Sequence, residues 1–135
     1  MKMNPSKPLK VVLIDDETAI ITLLEKALLN KGYEVATYGS ASECLNAYQG
    51  NQGNSTCQQH ADIILTDIDM PHMDGIDFLN LLHKRNCPCQ HIALMTGDLL
   101  NDARFKKIEK SGVKLFLKPF SIAEFIGWVS LIQKT

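Results

Sequence analysis

Asp15 and Asp16, the solitary Asp67, Thr96 and Lys118 each close or directly follow an apolar run of strand length. Gathered at one point, the carboxylates would repel, each disfavouring ionisation of the next, unless a cation balanced them. A donor set made only of oxygens, with room for water and a phosphoryl oxygen, suits Mg²⁺; zinc would call for His or Cys at the same place. A lysine ammonium and a threonine hydroxyl on the other side of one carboxylate would hold the equatorial oxygens of a phosphoryl group during in-line transfer. The carboxylate between them would be the nucleophile, and Asp67 is the central member. Helix capping is the alternative for Asp15 and Asp16, but it leaves Asp67 at the end of a different run unexplained. For Lys118 the alternative is a side chain that merely reaches solvent.

These residues can meet only if the runs are strands whose ends share one edge. Lys10 to Ile14 is a continuous apolar run, the pattern of a strand covered on both faces. Ile20, Leu23, Leu24, Ala27 and Leu28 then recur at helical spacing, and Lys31-Gly32 ends that helix. Val35 to Tyr38 predicts a second strand, and Ser40 and Glu43 have the capping-box spacing of a helix running to about Tyr48. Gln49 to His60 is polar and aperiodic, a surface loop. Further strands are predicted at Ala61 to Thr66, His91 to Met95 and Val113 to Leu117. Helices are predicted at Gly75 to Arg85, with Ile76, Leu79 and Leu82 inward, within Leu99 to Lys110, and after the capping pair Ser121 and Glu124. Alternating strands and helices imply an α/β fold, a doubly wound parallel sheet of five strands in the order 2-1-3-4-5 with helices on both faces. Ligands of such sheets bind at the carboxyl ends of the strands.

Composition limits what such a domain does. The 135 residues are one domain's worth, and the expectation is that no separate output domain is included. Lys and Arg number 14 against 15 Asp and Glu, a formal charge of -1, so the basic footprint of a nucleic-acid binder is missing. Hydrophobic residues make up 45% of the chain. No apolar run approaches the length of a membrane helix, roughly 18 residues or more. Met1 to Lys10 lacks the apolar segment of a secretory signal, which leads to the expectation of a cytoplasmic protein. The 4 cysteines are too few for a disulfide scaffold.

With these residues in order, the chain resembles the receiver domain of two-component response regulators, the CheY-like family. The resemblance rests on the run into Asp15-Asp16-Glu17, Thr66-Asp67 followed by Met70-Pro71 and Asp74-Gly75, Leu94-Met95-Thr96-Gly97, and Lys118-Pro119-Phe120. It divides the chain into a polar leader at 1–8 and a receiver domain at 9–135. It implies that Asp67 is the phosphoacceptor, that Asp16 ligates Mg²⁺ directly, that Asp15 acts on the metal largely through water, and that the Asp69 carbonyl completes the protein ligands. Thr96 and Lys118 would hold the phosphoryl oxygens, and Pro119 would follow a cis peptide. The implied function is acceptance of a phosphoryl group from a phosphohistidine donor, switching partner binding in two-component phosphorelay signalling. Such a chain is a signalling phosphoprotein rather than an enzyme, catalysing only its own phosphorylation and dephosphorylation. Its implied partners are a sensor histidine kinase or histidine phosphotransfer protein and a downstream effector, with no direct nucleic-acid or membrane binding. A homodimer through the face of the fourth helix, fifth strand and fifth helix is a further option.

Two rival readings stand beside this one. Asp67-Ile68-Asp69 also matches the Asp-x-Asp nucleophile of haloacid dehalogenase-like phosphatases, but their extra acidic pair follows the lysine, whereas Asp15-Asp16 precedes it. A docking module that is never phosphorylated is the other, and the intact polar set argues against it. The position where many receivers carry a switching aromatic is Leu115, and strand alternation points the neighbouring Phe116 to the opposite face. Asp69 and Asp98 stand at positions that influence dephosphorylation in the family. Trp128 reads equally as a core residue or as a partner contact. Cys57, His60, Cys87, Cys89 and His91 flank the third and fourth strands at the edge away from Asp67. They are read as reduced thiols and loop residues, with a zinc or redox site as the alternative.

Overall fold

A computed structural model of the chain describes residues 8–49, 61–70, 73–84, 89, 91–97 and 102–134. Its elements run β1 (Lys10–Ile14), α1 (Thr18–Asn30), β2 (Glu34–Tyr38), α2 (Ala41–Gln49), β3 (Ile63–Asp67), α3 (Gly75–Lys84), β4 (His91–Thr96), α4 (Asp102–Ser111), β5 (Lys114–Leu117) and α5 (Ile122–Lys134). The five strands form one sheet in the order β2-β1-β3-β4-β5, and every pair is parallel. This is the α/β architecture that the alternating pattern predicts. The polar leader up to residue 7, most of the loop over Gln49 to His60 with Cys57, and Pro71, His72, Arg85, Cys87, Pro88 and Asp98 lie outside the described residues.

The central strands are apolar because both faces are covered. Every residue of β3 is buried, and so are Val11 to Ile14 of β1. On one face Leu13, Leu65, Met95 and Phe116 pack with Leu24, Leu28, Phe125 and Val129 of α1 and α5. On the other, Val12, Ile14, Ile64 and Ile92 pack with Cys44 of α2 and Phe78, Leu79 and Leu82 of α3.

Helix ends follow their local chemistry. Gly32, at φ +91°, donates its N–H to the Leu29 carbonyl while Tyr33 donates to Leu28, the paired closure that ends α1. Gly112, at φ +77°, ends α4 where Ser111-Gly112 predicts a stop. The capping box of α5 is reciprocal. The Glu124 N–H donates to Ser121 Oγ (3.0 Å) and the Ser121 N–H to Glu124 Oε1 (3.3 Å). At α2 the Glu43 N–H donates to Ser40 Oγ (3.1 Å).

Three sequence expectations shift. β3 begins at Ile63 rather than Ala61, because Asp62 is turned to β1: its carboxylate takes the Lys10 N–H (2.8 Å) and its own N–H donates to the Lys10 carbonyl (2.9 Å). Leu23 shares the helical spacing of the core residues of α1 but is 57% exposed, and Ile21 takes the inward place. In α3 Leu79 and Leu82 are buried as expected and Phe78 joins them, while Ile76 packs only at the margin, against Ile68, Leu94 and Ile108.

Candidate functional site

β1, β3, β4 and β5 end on the same edge, and each delivers one part of a polar cluster. Asp15 is 1% exposed, Asp67 4% and Thr96 0%. Polar side chains are seldom buried so deeply unless they are paired. Neither buried carboxylate is left without donors. The Glu17 N–H donates to Asp15 Oδ1 (3.0 Å), and the Asp69 N–H donates in the same way to Asp67 Oδ1 (3.0 Å). The second oxygen of each takes a bond from Lys118 Nζ, at 3.2 Å to Asp15 Oδ2 and 3.0 Å to Asp67 Oδ2.

Lys118 is suited to this by length. Neighbouring strands are about 4.8 Å apart, and β5 is two strands from β3 and three from β1. A four-carbon stem is needed to carry the charge past β4. A third acid meets it there: Glu17 Oε1 lies 2.8 Å from Nζ. Sequence reasoning gives Glu17 no role, and its only signal is that of an acid two residues beyond the strand-end Asp15. It is also the N-cap of α1, without a side-chain cap bond, so neither Asp15 nor Asp16 caps the helix.

The acids outnumber the lysine. Asp15, Asp16 and Asp67 each place one carboxylate oxygen within 4.8 Å of the others, and Asp16 is exposed at the rim. Burial pushes the Asp15 carboxyl up to about 6; the Glu17 N–H opposes the rise, the Asp67 charge adds to it, and Lys118 offsets part of it. Burial alone would lower the Lys118 ammonium, but hydrogen bonds to Glu17 and Asp67 and the charges of Asp67 and Asp15 together raise it above the ordinary lysine range. A site whose acids are short of positive charge and whose donors are all oxygens fits a hard divalent cation.

Thr96 Oγ1 donates to Asp69 Oδ2 at 3.0 Å, so its hydroxyl is held by the exposed carboxylate two residues beyond Asp67. Of the residues expected at the site, Asp15, Asp16, Asp67 and Lys118 are brought together directly. Thr96 and Asp69 form an adjacent pair linked to them through the Asp69 N–H.

Gly75 supports the cluster from behind. Its N–H donates to the Ile68 carbonyl (2.9 Å), and a Cβ there would stand 2.7 Å from the Asp67 carbonyl oxygen. The Lys118–Pro119 peptide is cis. Leu94 pairs with Leu115 and Met95 with Phe116 in unbroken register. Phe116 therefore faces α5, edge-on to Phe125 and Trp128, while Leu115 packs toward Leu94 and Ile108. Trp128 belongs to that core margin. A cavity of about 470 Å³ opens beside the site, bordered by Glu17, Ile20, Leu23, Lys118 and Phe120.

Comparison with known proteins gives a consistent picture. The sequence model of one family, described as the response regulator receiver domain, matches residues 11–130. The chain is 30% identical over 117 residues to the DNA-binding transcriptional regulator NtrC of Klebsiella pneumoniae, covering 87% of this chain and 23% of that protein. It is 27% identical over 125 residues to the transcriptional regulatory protein PrrA of Mycobacterium tuberculosis, covering 93% of this chain and 50% of that one. The chain thus spans half or less of the length of these curated relatives. In fold it resembles a CheY-like response regulator receiver domain from Methanospirillum hungatei, with a TM-score of 0.77, 21% identity and coverage of 95% of this chain and 96% of that one. A receiver domain from Clostridium thermocellum gives a TM-score of 0.74 at 25% identity, over 93% of this chain and 95% of that one. Among the described residues, no helix is long and apolar enough to cross a membrane.

Proposed function

This chain belongs to the response regulator receiver domain family of two-component systems, and on that premise we propose that Asp67 accepts a phosphoryl group from a phosphohistidine protein. The observation that carries this reading is the single ammonium of Lys118, 3.0 Å from Asp67 Oδ2 in a buried cluster of acids. In the transfer an Asp67 carboxylate oxygen forms the new bond to phosphorus. The phosphorus–nitrogen bond of the donor breaks, and the imidazole leaves with the electron pair and takes a proton. Lys118 Nζ is positioned to follow the charge from Asp67 onto the phosphoryl oxygens. Thr96 Oγ1 would leave Asp69 to donate to another of them.

Asp16, Asp67 and the Asp69 carbonyl would hold Mg²⁺, with Asp15 acting largely through water. Bound there, the ion supplies positive charge against the phosphoryl oxygens and the acids. Water later cleaves the acyl phosphate, so the chain catalyses only its own modification and its reversal and serves as a signalling protein, not as an enzyme with an external product.

The donor would be a sensor histidine kinase or a histidine phosphotransfer protein in the cytoplasm, approaching by the cavity beside Glu17 and Lys118. The readout would lie on the α4, β5 and α5 face, where Leu117 and Leu131 are exposed. An effector, or a second copy of the chain, would cover it. Among the curated relatives, the roles in transcription and DNA binding belong to proteins at least twice the matched length. The expectation for these 135 residues is partner binding without direct nucleic-acid contact.

Incubation with acetyl phosphate and Mg²⁺, followed by intact mass measurement, tests the reading. One added phosphoryl mass, absent from Asp67→Asn and absent when Mg²⁺ is chelated, is expected. No addition, or an addition that survives Asp67→Asn, refutes it.

A further inference from the structure

The opposite end of the sheet carries a different donor chemistry. Where β4 and β5 begin, a cavity of about 440 Å³ is bordered by His83 at the last turn of α3, Cys89 just before β4, and His91, the first residue of β4. The described histidines are His83 and His91, and the described cysteines are Cys89 and Cys44, of which Cys44 is buried in the core. Three of these four residues therefore face one cavity, and none of its described bordering residues is a carboxylate. Nitrogen and sulfur donors without carboxylates select zinc over Mg²⁺ or Ca²⁺.

We propose that His83, Cys89 and His91 form a zinc site, separate from the acidic cluster, with a fourth position left to water. Cys89 Sγ donates to the His91 carbonyl at 3.6 Å, which keeps the thiol beside the first turn of chain entering β4. Among the described residues, the group of three ligand atoms already within 4.8 Å of one another is the acidic one. Zinc would accordingly have to draw the three donors together, His83 from an exposed position and His91 from a half-buried one. Among the described residues of the border, the permanent cation is Lys114. Its Nζ lies 5.4 Å from the Phe116 ring centroid, a contact that draws the charge toward the aromatic cluster. On binding, a zinc–sulfur bond forms, the sulfur–hydrogen bond of Cys89 breaks, and one proton leaves to solvent. Both imidazoles bind neutral through a ring nitrogen, and nothing is oxidised or reduced.

The test uses the whole chain, with a non-thiol reductant present and Mg²⁺ in excess to occupy the acidic cluster. Cobalt is added as the spectroscopic probe and zinc as the competing metal. One equivalent of Co²⁺ should produce a thiolate charge-transfer band and the intense visible bands of four-coordination, both removed by Zn²⁺. Cys89→Ser should abolish the charge-transfer band. His83→Gln and His91→Gln should each weaken zinc binding more than about tenfold, the loss that even an outer partner of a ligand produces. His83→Gln lies on an exposed helix turn, so it keeps the test decisive where a strand-end substitution fails to fold by circular dichroism. A charge-transfer band that survives Cys89→Ser overturns the proposal, as does zinc affinity unchanged by His83→Gln.

Discussion

The burial of Asp15 makes a prediction about stability whose sign is counter to the usual effect of removing a salt-bridged acid. Its carboxyl rises from 3.8 to about 6, chiefly through burial, even with Lys118 beside it. The folded chain therefore holds a proton that the unfolded chain releases. The stability this provides is present below the unfolded value and is lost as pH rises through the folded one. A rise of this size corresponds to about 3 kcal/mol, all of it missing at neutral pH, and water at the exposed Asp16 rim screens it toward about 2 kcal/mol. Asn at this position keeps an oxygen for the Glu17 N–H and removes the charge; its amide NH2 then faces Lys118, which turns to Glu17 and Asp67. In metal-free solution Asp15→Asn should thus be more stable than the native chain by about 2–3 kcal/mol at about pH 8, with the gain shrinking toward about pH 4. Urea unfolding of both proteins across that range with a chelator reads the difference. Mg²⁺ should narrow the difference: ligand at a hundredfold over its dissociation constant adds about 2.7 kcal/mol to a protein that binds it, and the variant should gain less. A metal-free Asp15→Asn that is less stable at about pH 8, or a gain independent of pH, refutes the reasoning.

Other consequences are as direct. Gly75→Ala drives a Cβ to 2.7 Å from the Asp67 carbonyl oxygen and 3.0 Å from Ile68 Cα. It should lower stability by about 1–3 kcal/mol in denaturant titration and slow acetyl phosphate labelling of Asp67. Asp69→Ala removes the acceptor that holds the Thr96 hydroxyl. Labelling should become faster with stability changed by less than about 1.5 kcal/mol, and a slower rate would mean that the contact assists transfer. Phe125→Ala empties a fully buried site between Phe116 and Trp128. A loss of about 3–5 kcal/mol is expected in thermal or urea unfolding, and a loss below about 1 kcal/mol would contradict the packing.

The order and type of elements were readable because buried parallel strands must be apolar throughout and their helices must repeat at about 3.6 residues. Asp15, Asp16, Asp67 and Lys118 could be found because each follows such a run. What escaped was set by tertiary geometry. Leu23 and Ile21 both fit the helical spacing of α1, and only the position of α5 and the sheet decides which one is covered. Glu17 looks like any acid at the start of a helix until Lys118 arrives from the other end of the chain. Thr96 bonding to Asp69 depends on a side-chain rotation in the loop after β3, which periodicity does not encode.

Asp15 and Lys118 stand 103 positions apart and are joined at 3.2 Å. The counter-charge for the first acid of the site is thus supplied from the end of β5. As the chain emerges during synthesis, its carboxylates come early and their lysine comes last. A molecule in which β5 has not docked holds Asp67 without the group that steadies its charge. On the reading proposed above, Asp67 would take a phosphoryl group only in molecules whose β5 has already docked.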